Sequence, residues 1–489
     1  MVVRTPWFQR VVGLLILAAV ALAAALLWWG VAASEPPTLW APVQLTLAGA
    51  WTILYDAHAP DTRVVVAAIA VAVLLGAAVA FTERLIANRT RRTPAHVRTR
   101  PIAPKTIMAA TRGVFAGHMT FTVLIPAHNE EASLPATLAS LLAQNRPPER
   151  IIVVADNCTD GTVDVARSAG VEVFETSGNT AKKGGALNQA LREVLPTQGD
   201  NDVVMIMDAD TTLDDGFLAE ASRHFTDDRA LMAVGGLFYG EPGHGLIGQF
   251  QRNEYARYSR EIQRRRGRVF VLTGTASVFR PAALRAVAES RGVQLPGRNG
   301  DVYDTAALTE DNELTLAIKS LGGLTVSPSQ CTVSTELMPT WRMLWAQRLR
   351  WQRGALENLG AYGVTPQTLR YWAQQVGIGY SVIALGAYLV LFALMILAVD
   401  SWVWFPFWIG LGSLFIVERV VTVWKGGWAA RLLAATILPE LLFDMFLNIV
   451  YVKGILDITR GRQATWKHLA KGTGSAARAT ATDEKAKIA

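Results

Sequence analysis

The sequence is poor in charged residues and in cysteine. Only 18% of its 489 residues are charged, whereas 51% are hydrophobic. Because soluble domains are typically about one quarter charged, part of the apolar surface is expected to face lipid. The two cysteines, Cys158 and Cys331, form neither a metal-binding nor a disulfide pattern. This excludes a disulfide-rich secreted scaffold, and both thiols fit a reducing cytosolic compartment.

The basic run at residues 83–117 lacks aromatic residues among its cations. Its charged residues are Arg84, Arg89, Arg91, Arg92, Arg98, Arg100, Lys105 and Arg112, against Glu83 alone. The run directly follows an apolar segment, which favours a cytosolic linker beside anionic lipid over a nucleic-acid surface. We therefore expect membrane lipid, and no nucleic acid, as its partner.

Two apolar segments precede this linker. Residues 11–33 are longer than the core of a signal peptide and follow Arg4 and Arg10, which predicts an uncleaved anchor starting in the cytosol. Residues 64–81 form a second predicted span, and the positive-inside rule then places residues 34–62 outside.

Further apolar segments lie near the C-terminus. Residues 376–399 and 402–424 are predicted to form a helical hairpin that returns to the cytosol. Residues 432–452 contain Pro439, and a full crossing there would place the basic tail outside, so the number of crossings, four or five, stays open. Glu440, Asp444 and Asn448 lie four residues apart on one helical face. This stripe requires either a partner helix or a sugar-conducting aqueous cavity.

Residues 118–336 are predicted to form an α/β domain with a mixed, mostly parallel sheet between the membrane segments. The predicted strands are residues 121–126, 150–156, 171–175 and 202–208. Such a sheet binds its ligands beyond the carboxyl ends of its strands. The candidate site residues are therefore sought at those strand ends.

Acidic residues follow two of these strands. Asp208 and Asp210 follow one, where they are either turn residues or oxygen ligands of a divalent cation. Asp156 and Asp160 follow another, and turn chemistry alone also explains them.

Two further motifs lie at predicted helix starts. Thr309-Glu310-Asp311 begins a helix, either as a capping Thr with favourable helix-dipole acids or as a catalytic acid pair. Lys183 precedes two glycines, which either form a tight turn or let the backbone approach a ligand.

An arginine- and tryptophan-rich helix is predicted near residue 350. Its apolar side and its arginines are typical of a helix lying in the membrane interface. The residues concerned are Trp341, Leu344, Trp345 and Leu349, with Arg342, Arg350 and Arg353 elsewhere. Anchoring in the interface is one interpretation of these side chains, and binding of a substrate is the other.

Together these motifs resemble the processive family 2 glycosyltransferases, the group of the cellulose, chitin, hyaluronan and poly-N-acetylglucosamine synthases. The resemblance covers residues 121–354, with six motifs in the family's order. They are Ile125-Pro126-Ala127-His128-Asn129-Glu130, the Asp156 loop, Lys182-Lys183-Gly184-Gly185-Ala186-Leu187-Asn188, Asp208-Ala209-Asp210, Thr309-Glu310-Asp311 and Gln347-Arg348-Leu349-Arg350-Trp351. The resemblance implies a GT-A fold, a UDP-linked sugar donor and inversion at the anomeric carbon.

Roles for single residues follow from this resemblance and from the chemistry of transfer. The acceptor hydroxyl must lose a proton while the diphosphate leaves, so the site needs a base and positive charge. Asp311 is the predicted base, with Glu310 beside it. Asp210 is the predicted direct ligand of Mg²⁺ or Mn²⁺ at the diphosphate, and Asp208 is expected to bind either the uridine of the donor or the metal.

The same resemblance assigns the remaining site residues. Asp156 is expected to bind the uridine, and Lys183 is assigned to the donor in preference to Lys182. Arg350 is expected to pair with the diphosphate, and Trp351 to stack on the terminal acceptor sugar.

Thr273 and Gly274 lie in a loop that resembles the acceptor side of these synthases. Thr273 stands where cellulose synthases usually have Cys, which disfavours cellulose as the product. The expected product is a β-linked polysaccharide made from UDP-N-acetylglucosamine or UDP-glucose and passed across the membrane.

Single-sugar transfer to a membrane lipid is the alternative, since ceramide glucosyltransferases share the acidic and Gln-x-x-Arg-Trp motifs. A transporter or scaffold with a degenerate transferase domain is disfavoured, because every expected ionisable residue is present. Sugar, linkage and oligomeric state stay open. The predicted segments are residues 1–82 (two membrane helices), 83–117 (linker), 118–336 (catalytic domain), 337–375 (interface helices), 376–455 (membrane helices) and 456–489 (basic cytosolic tail).

Overall fold

The computed structural model describes residues 99–111, 119–397, 401–404 and 406–462. It also describes strands at residues 43–47 and 51–55, and isolated positions between residues 25 and 85. Three predicted segments lie largely outside these residues. They are the anchor at residues 11–33, of which only residue 25 is described, much of the basic linker, and the tail beyond residue 462. All described positions from residue 62 to 85 are helical, as expected for the predicted second span.

The described strands and helices alternate through the middle of the chain. The strands are β1 (Val43–Leu47), β2 (Trp51–Tyr55), β3 (Thr120–Ala127), β4 (Arg150–Ala155), β5 (Glu172–Glu175), β6 (Asp202–Met207), β7 (Thr211–Leu213), β8 (Leu231–Gly235), β9 (Leu237–Gly240), β10 (Ala276–Phe279), β11 (Leu324–Val326), β12 (Thr332–Thr335) and β13 (Ser401–Trp404). The helices are α1 (Pro104–Ala110), α2 (Leu134–Leu142), α3 (Thr162–Ser168), α4 (Lys182–Val194), α5 (Phe217–Asp227), α6 (Gly245–Arg264), α7 (Pro281–Ser290), α8 (Glu310–Ser320), α9 (Trp341–Tyr362), α10 (Leu369–Leu397), α11 (Pro406–Thr422), α12 (Gly427–Ala435) and α13 (Leu438–Thr459).

A seven-stranded sheet in the order β11-β8-β10-β6-β3-β4-β5 forms the centre of the α/β domain. Strand β10 runs antiparallel to both of its neighbours, and the other pairs are parallel. The predicted mixed, mostly parallel sheet is therefore confirmed. A second, smaller sheet has the strand order β7-β12-β9. Its central strand, β12, runs antiparallel to β7 and parallel to β9.

Apolar side chains cover both faces of the large sheet, as expected for parallel strands with helices on each side. Along β3, Val123 packs into the core formed with α2 and α5, whereas Leu124 packs into the core formed with α4, α7 and α8. Successive strand side chains point to opposite faces, so one continuous apolar strand contributes to both cores. The helices and the strand ends between them are thereby held rigidly.

The predicted strands differ from the observed ones by at most one residue at each end. The predicted helix after Lys183 begins earlier, at Lys182, so Gly184 and Gly185 lie in its first turn rather than before it. Gly185 is required there, because a Cβ atom would lie 2.2 Å from Oδ1 of Asn179.

The C-terminal segment contains the long apolar helices. Among the described residues, Leu369–Leu394 is long and apolar enough to cross a membrane. The helices Trp424–Ala435 and Leu438–Thr459 meet the same criteria of length and apolarity only when taken together, with a bend of 89° between them. Helix α10 begins seven residues before the predicted span at residue 376 and exposes apolar side chains such as Val376 and Ile383.

The predicted hairpin at residues 376–424 differs from the observed structure at its turn. Residues 401–404 form β13 instead of helix, and β13 pairs in parallel with β2, which in turn pairs with β1. The helix that follows begins only at Pro406.

The apolar segment 432–452 is broken next to Pro439, where the sequence predicted an interruption. The break lies between α12 and α13, and Ile437 there has a positive φ of 46°. The acidic stripe has a protein partner: Glu440 is fully buried and binds Arg257 and Arg419, while Asp444 binds Arg419. Packing between helices therefore accounts for Glu440.

Candidate active site

A cavity of about 1390 Å³ opens at the carboxyl ends of β3, β4 and β6. Because β10 runs in the opposite direction, the loop before it reaches the same edge of the sheet. The cavity is lined by every residue that the sequence predicted for the site: Asp156, Lys183, Asp208, Asp210, Thr273, Gly274, Glu310, Asp311, Arg350 and Trp351. The fold thus gathers residues separated by almost 200 positions into one place.

Asp156 follows β4 directly and is almost buried. Its Oδ1 atom accepts hydrogen bonds from Thr176 at 2.8 Å, Asn179 at 2.8 Å and Asn157 at 3.0 Å. Its Oδ2 atom accepts none from any residue that the structure describes. One carboxylate oxygen is therefore used to fix the side chain, and the other is available to a ligand that donates a hydrogen bond.

Asn179 was not predicted from the sequence, although it holds this part of the cavity together. Its amide nitrogen donates to Asp156 and to the carbonyl of Lys182, and its Oδ1 accepts from the backbone of Ala181. The residue follows a short strand in a polar loop, where the sequence offers no signal that separates it from an ordinary turn residue.

Lys183 joins two predicted carboxylates. Its Nζ lies 2.5 Å from Oδ1 of Asp208, at the end of β6, and 3.1 Å from Oε1 of Glu310, at the start of α8. Burial opposes the charge on Lys183, but the neighbouring carboxylates Asp208 and Glu310 raise its pKa well above its usual value. For Glu310, burial favours the neutral acid, but Lys183 outweighs it and lowers the pKa. Lys183 and Glu310 are thus both charged at neutral pH.

Asp311 is held by two backbone amides. Gly274 donates to its Oδ2 at 3.1 Å, and Asn312 donates to its Oδ1 at 2.7 Å. Burial, together with the negative charge of Glu310, raises the pKa of Asp311 to about 6. The neighbouring carboxylates therefore differ in their proton affinity, with Asp311 the more basic of the two.

The alternative explanation of Thr309-Glu310-Asp311 as a capped helix start is wrong in its central element. Thr309 precedes α8, but its side chain caps no backbone N–H group of that helix. Its hydroxyl accepts a hydrogen bond from Asn358 of α9 instead. The threonine therefore joins two helices.

Asp208 and Asp210 both line the cavity, and Asp210 also accepts a 3.2 Å hydrogen bond from Thr211. Within the described residues, no group of three or more His, Cys, Asp or Glu side chains is arranged to hold a metal ion. Two carboxylates still fit the usual mode of Mg²⁺ binding, in which one or two carboxylates are joined by substrate phosphates and water.

Helix α9 carries the predicted Gln-x-x-Arg-Trp motif along one wall of the cavity. Arg350 faces the same region as Lys182, whose pKa is lowered by burial and by the positive charge of Arg350. Sequence reasoning preferred Lys183 over Lys182, whereas both lysines line the cavity.

The tryptophans that precede the motif in α9 have a packing role. Trp341 and Trp345 contact Phe446 of α13, with ring centres 5.2 and 5.6 Å apart. The apolar side of α9 therefore faces another helix of the chain.

Comparison with known proteins agrees with this architecture. Residues 122–288 match the model of the family described as glycosyl transferase family 2. The assignment of this part of the chain to family 2, made from the motifs, is therefore confirmed, and its α/β fold is GT-A-like. The processive subgroup stays a prediction.

Two curated bacterial proteins are similar to this chain. The probable glycosyltransferase YdaM of Bacillus subtilis (strain 168) is 30% identical over 247 residues, which are 48% of this chain and 54% of the relative. The poly-beta-1,6-N-acetyl-D-glucosamine synthase of Staphylococcus aureus (strain COL) is 27% identical over 245 residues, 49% of this chain and 55% of the relative. The chain thus spans about half the length of the curated relatives it matches.

Solved structures are more distant. The mannosyltransferase PcManGT from Pyrobaculum calidifontis, determined in complex with GDP-Man and Mn²⁺, has 17% identity and a TM-score of 0.44, covering 78% of this chain and 96% of that one. Glucosyl-3-phosphoglycerate synthase from Mycobacterium tuberculosis, in complex with Mn²⁺, UDP and phosphoglyceric acid, has 17% identity and a TM-score of 0.33, covering 52% and 82%.

Proposed function

We propose that this protein is a membrane-embedded, metal-dependent, inverting glycosyltransferase that extends a β-linked polysaccharide from a UDP-sugar. The observation that carries the proposal is the single cavity in which a basic carboxylate, Asp311, lies beside two further carboxylates and a set of cations. A transfer reaction needs this combination, because a proton leaves the acceptor while negative charge develops on the leaving diphosphate.

Asp156 supports uridine as the base of the donor nucleotide. The uracil ring presents one N–H group, and the available Oδ2 atom can accept a hydrogen bond from it. A guanine ring presents two neighbouring donors, whereas Oδ1 already accepts three hydrogen bonds. The carboxylate therefore suits uracil better than guanine.

Asp208 and Asp210 would hold a Mg²⁺ or Mn²⁺ ion, which neutralises diphosphate charge when it is bound. Arg350 and Lys182, which line the same cavity, bind the diphosphate. Lys183 keeps Glu310 charged and holds both Asp208 and Glu310 in place. These residues bind and orient the donor.

Asp311 removes the proton from the attacking hydroxyl of the acceptor. The amides of Gly274 and Asn312 orient its carboxylate, and Glu310 raises its basicity. Trp351 supplies a flat apolar surface for the terminal acceptor sugar, and Thr273 and Gly274, which line the same cavity, contact the acceptor as well.

The size and extent of the cavity support an acceptor longer than one sugar. Small-molecule sites usually enclose about 300 to 1,000 Å³, and this cavity is larger and continues to Asp444 and Asp457 on α13. With poly-N-acetylglucosamine synthase among the relatives, UDP-N-acetylglucosamine is the favoured donor and UDP-glucose the second. Transfer of one sugar to a membrane lipid remains the alternative product, because α13 belongs to the apolar C-terminal segment.

We place the protein in the plasma membrane as a multi-pass protein with its catalytic domain in the cytosol. The pairing of β2 with β13 supports this topology. It brings residues 51–55, predicted to lie outside, next to residues 401–404, at the outer turn of the predicted hairpin.

The test is to size the product of purified full-length protein. The protein is incubated with Mn²⁺ and labelled UDP-N-acetylglucosamine or UDP-glucose, and Asp311→Asn serves as the matched inactive variant. High-molecular-weight label supports the proposal, and label in the lipid fraction supports the alternative. Release of UDP without a glycosylated product contradicts both.

Asp311→Asn is expected to lower transfer by about 10²- to 10⁴-fold, the usual contribution of a general base. UDP affinity should stay close to that of the wild type, because Asp311 does not touch the residues proposed to bind uridine. A variant that retains most of its transfer rate would remove Asp311 from the role of base.

A further inference from the structure

Arg348 is the buried arginine of the Gln-x-x-Arg-Trp segment, and the motif assigns it no role. Only 2% of its surface is exposed, and it does not line the cavity. Its guanidinium donates to Oε2 of Glu254 at 2.7 Å and to Oε1 of Gln347 at 2.7 Å. A second contact to α6 is the 3.4 Å hydrogen bond to the hydroxyl of Tyr255.

The same guanidinium lies against the ring of Trp351. Its central carbon is 4.3 Å from the ring centre, a cation–π distance. Arg348 and Trp351 are three residues apart and therefore share one side of α9. The arginine thus contacts the indole from inside the protein, while the indole lines the cavity.

Glu254 connects this pair to the catalytic domain. It lies on α6, keeps part of its side chain exposed and lines the cavity, while its Oε2 binds the buried guanidinium. A buried arginine needs such a partner, since an unpaired buried charge is strongly unfavourable. The orientation of Trp351 therefore depends on a residue from another helix, almost 100 positions earlier in the chain.

We propose that Arg348, held by Glu254, is a positioning residue that fixes the plane of Trp351 for the acceptor sugar. The proposal rests on the acceptor role of Trp351 given above. A lysine at position 348 keeps the charge and can reach Glu254, but it lacks the planar group that stacks on an indole. Arg348→Lys should therefore disturb the acceptor site and leave the donor site intact.

The experiment measures donor and acceptor kinetics separately on the full-length protein. The acceptor probe is a β-1,6-linked N-acetylglucosamine tetrasaccharide with saturating UDP-N-acetylglucosamine, and UDP affinity reports on folding and on the donor site. Arg348→Lys is expected to raise the acceptor KM about five- to thirtyfold, the effect of losing a desolvated cation–π contact. Donor KM and UDP affinity should not change. Arg342→Lys, at an exposed position of the same helix, is the matched control and should leave all constants unchanged.

A double variant separates positioning from a general structural effect. If Arg348 acts through Trp351, Arg348→Lys adds nothing to the acceptor KM of Trp351→Ala. Effects that multiply, or an unchanged acceptor KM in Arg348→Lys, would overturn the proposal. Should Arg348→Lys lose UDP binding, Glu254→Gln tests the same pair from the other side, with the same expected dependence on Trp351.

The proposed function can fail separately. If Trp351→Ala leaves the acceptor KM unchanged, or if the wild type does not use the tetrasaccharide, the acceptor assignment is wrong and the positioning role falls with it. If Trp351→Ala raises the acceptor KM and neither Arg348→Lys nor Glu254→Gln does, only the positioning role is wrong.

Discussion

Asp311 and Glu310 are adjacent in the chain, yet they face different partners. Glu310 binds a lysine, whereas Asp311 accepts hydrogen bonds from two backbone amides and has no cation within ion-pair distance among the described residues. Neighbouring carboxylates in different environments acquire different pKa values. This difference gives the site one acid whose pKa is lowered, Glu310, and one that can exchange a proton near neutral pH, Asp311.

The first prediction concerns the pH dependence of transfer. A base works only when deprotonated, so kcat/KM should fall as pH decreases through about 6, the raised pKa of Asp311. Between pH 7 and pH 5 the deprotonated fraction falls about tenfold. Glu310→Gln removes the negative charge that raises this pKa, so the inflection should move to lower pH. An inflection that stays in place or moves upward contradicts the assignment.

The second prediction concerns the metal. Asp210→Ala should weaken UDP binding in the presence of Mn²⁺ by at least about tenfold, because even residues that only orient a metal ligand contribute about 10- to 100-fold to metal affinity. Without metal, the variant and the wild type should bind UDP equally. Titration of UDP with and without chelator measures both. Asp215→Ala is the control, because Asp215 is an exposed acid in the same segment, and it should leave UDP binding unchanged. If a chelator has no effect on UDP binding by the wild type, the metal assignment is wrong.

Helix α9 links the cavity wall that carries Trp351 to the acid pair Glu310 and Asp311. Its Asn358 donates to the hydroxyl and the carbonyl of Thr309, next to Glu310. Gly354 permits this approach, since a Cβ atom there would lie 2.5 Å from Oγ1 of Thr309. The amphipathic pattern predicted the helix itself, but it carried no information on this contact with α8.

The third prediction uses this close approach. Gly354→Ala forces α9 away from Thr309 and should destabilise the protein by about 1 to 3 kcal/mol, the usual cost of overpacking. Transfer should decrease together with stability, because Thr309 directly precedes Glu310 and Asp311, the proposed catalytic pair. Thermal unfolding and initial rates measure the two effects.

Gly360→Ala is the matched control in the same helix, because a Cβ atom at Gly360 meets no atom within 4 Å. This substitution should leave stability unchanged or increase it by up to about 1 kcal/mol through helix propensity. Equal destabilisation by both alanines would show that the contact with Thr309 is unimportant.

At the scale of the whole molecule, Glu440 connects the catalytic domain to the C-terminal helices. It accepts hydrogen bonds from Asn253 and Arg257 of α6 and from Arg419 of α11. It lies at the start of α13, directly after the 89° bend. This buried cluster sets how the bent helix pair sits beside the domain that carries out the chemistry.

The fourth prediction tests this connection. Glu440→Gln removes the carboxylate that pairs with Arg257 and leaves Arg419 paired with Asp444 alone. The free energy of unfolding should therefore decrease by about 3 to 5 kcal/mol, as for other broken buried ion pairs. Thermal unfolding in detergent measures the loss. Asp227→Asn, which breaks the exposed pair with Arg223, should cost no more than about 1 kcal/mol. Similar losses in both variants would argue against a special role for the buried cluster.

The sequence alone determined the features that depend on local patterns. Runs of apolar residues that end in Asp156 or Asp208 specify buried strands and the acids beyond them, because strand burial and strand-end position are set by neighbouring residues. The order of the motifs then identified the family and the set of residues that lines the cavity.

Only the tertiary structure decided which of these residues meet. Several contacts join segments that are far apart in the chain. They are the antiparallel pairing of β10 with β6, the ion pair of Lys183 with Glu310, the ion pair of Arg348 with Glu254, and the ion pair of Glu440 with Arg257. No local pattern specifies such contacts, because the partner of a charged residue is chosen by packing over the whole fold. Asp311 illustrates both parts: its position was predictable from its motif, and its raised pKa arises from burial and from the neighbours that the fold provides.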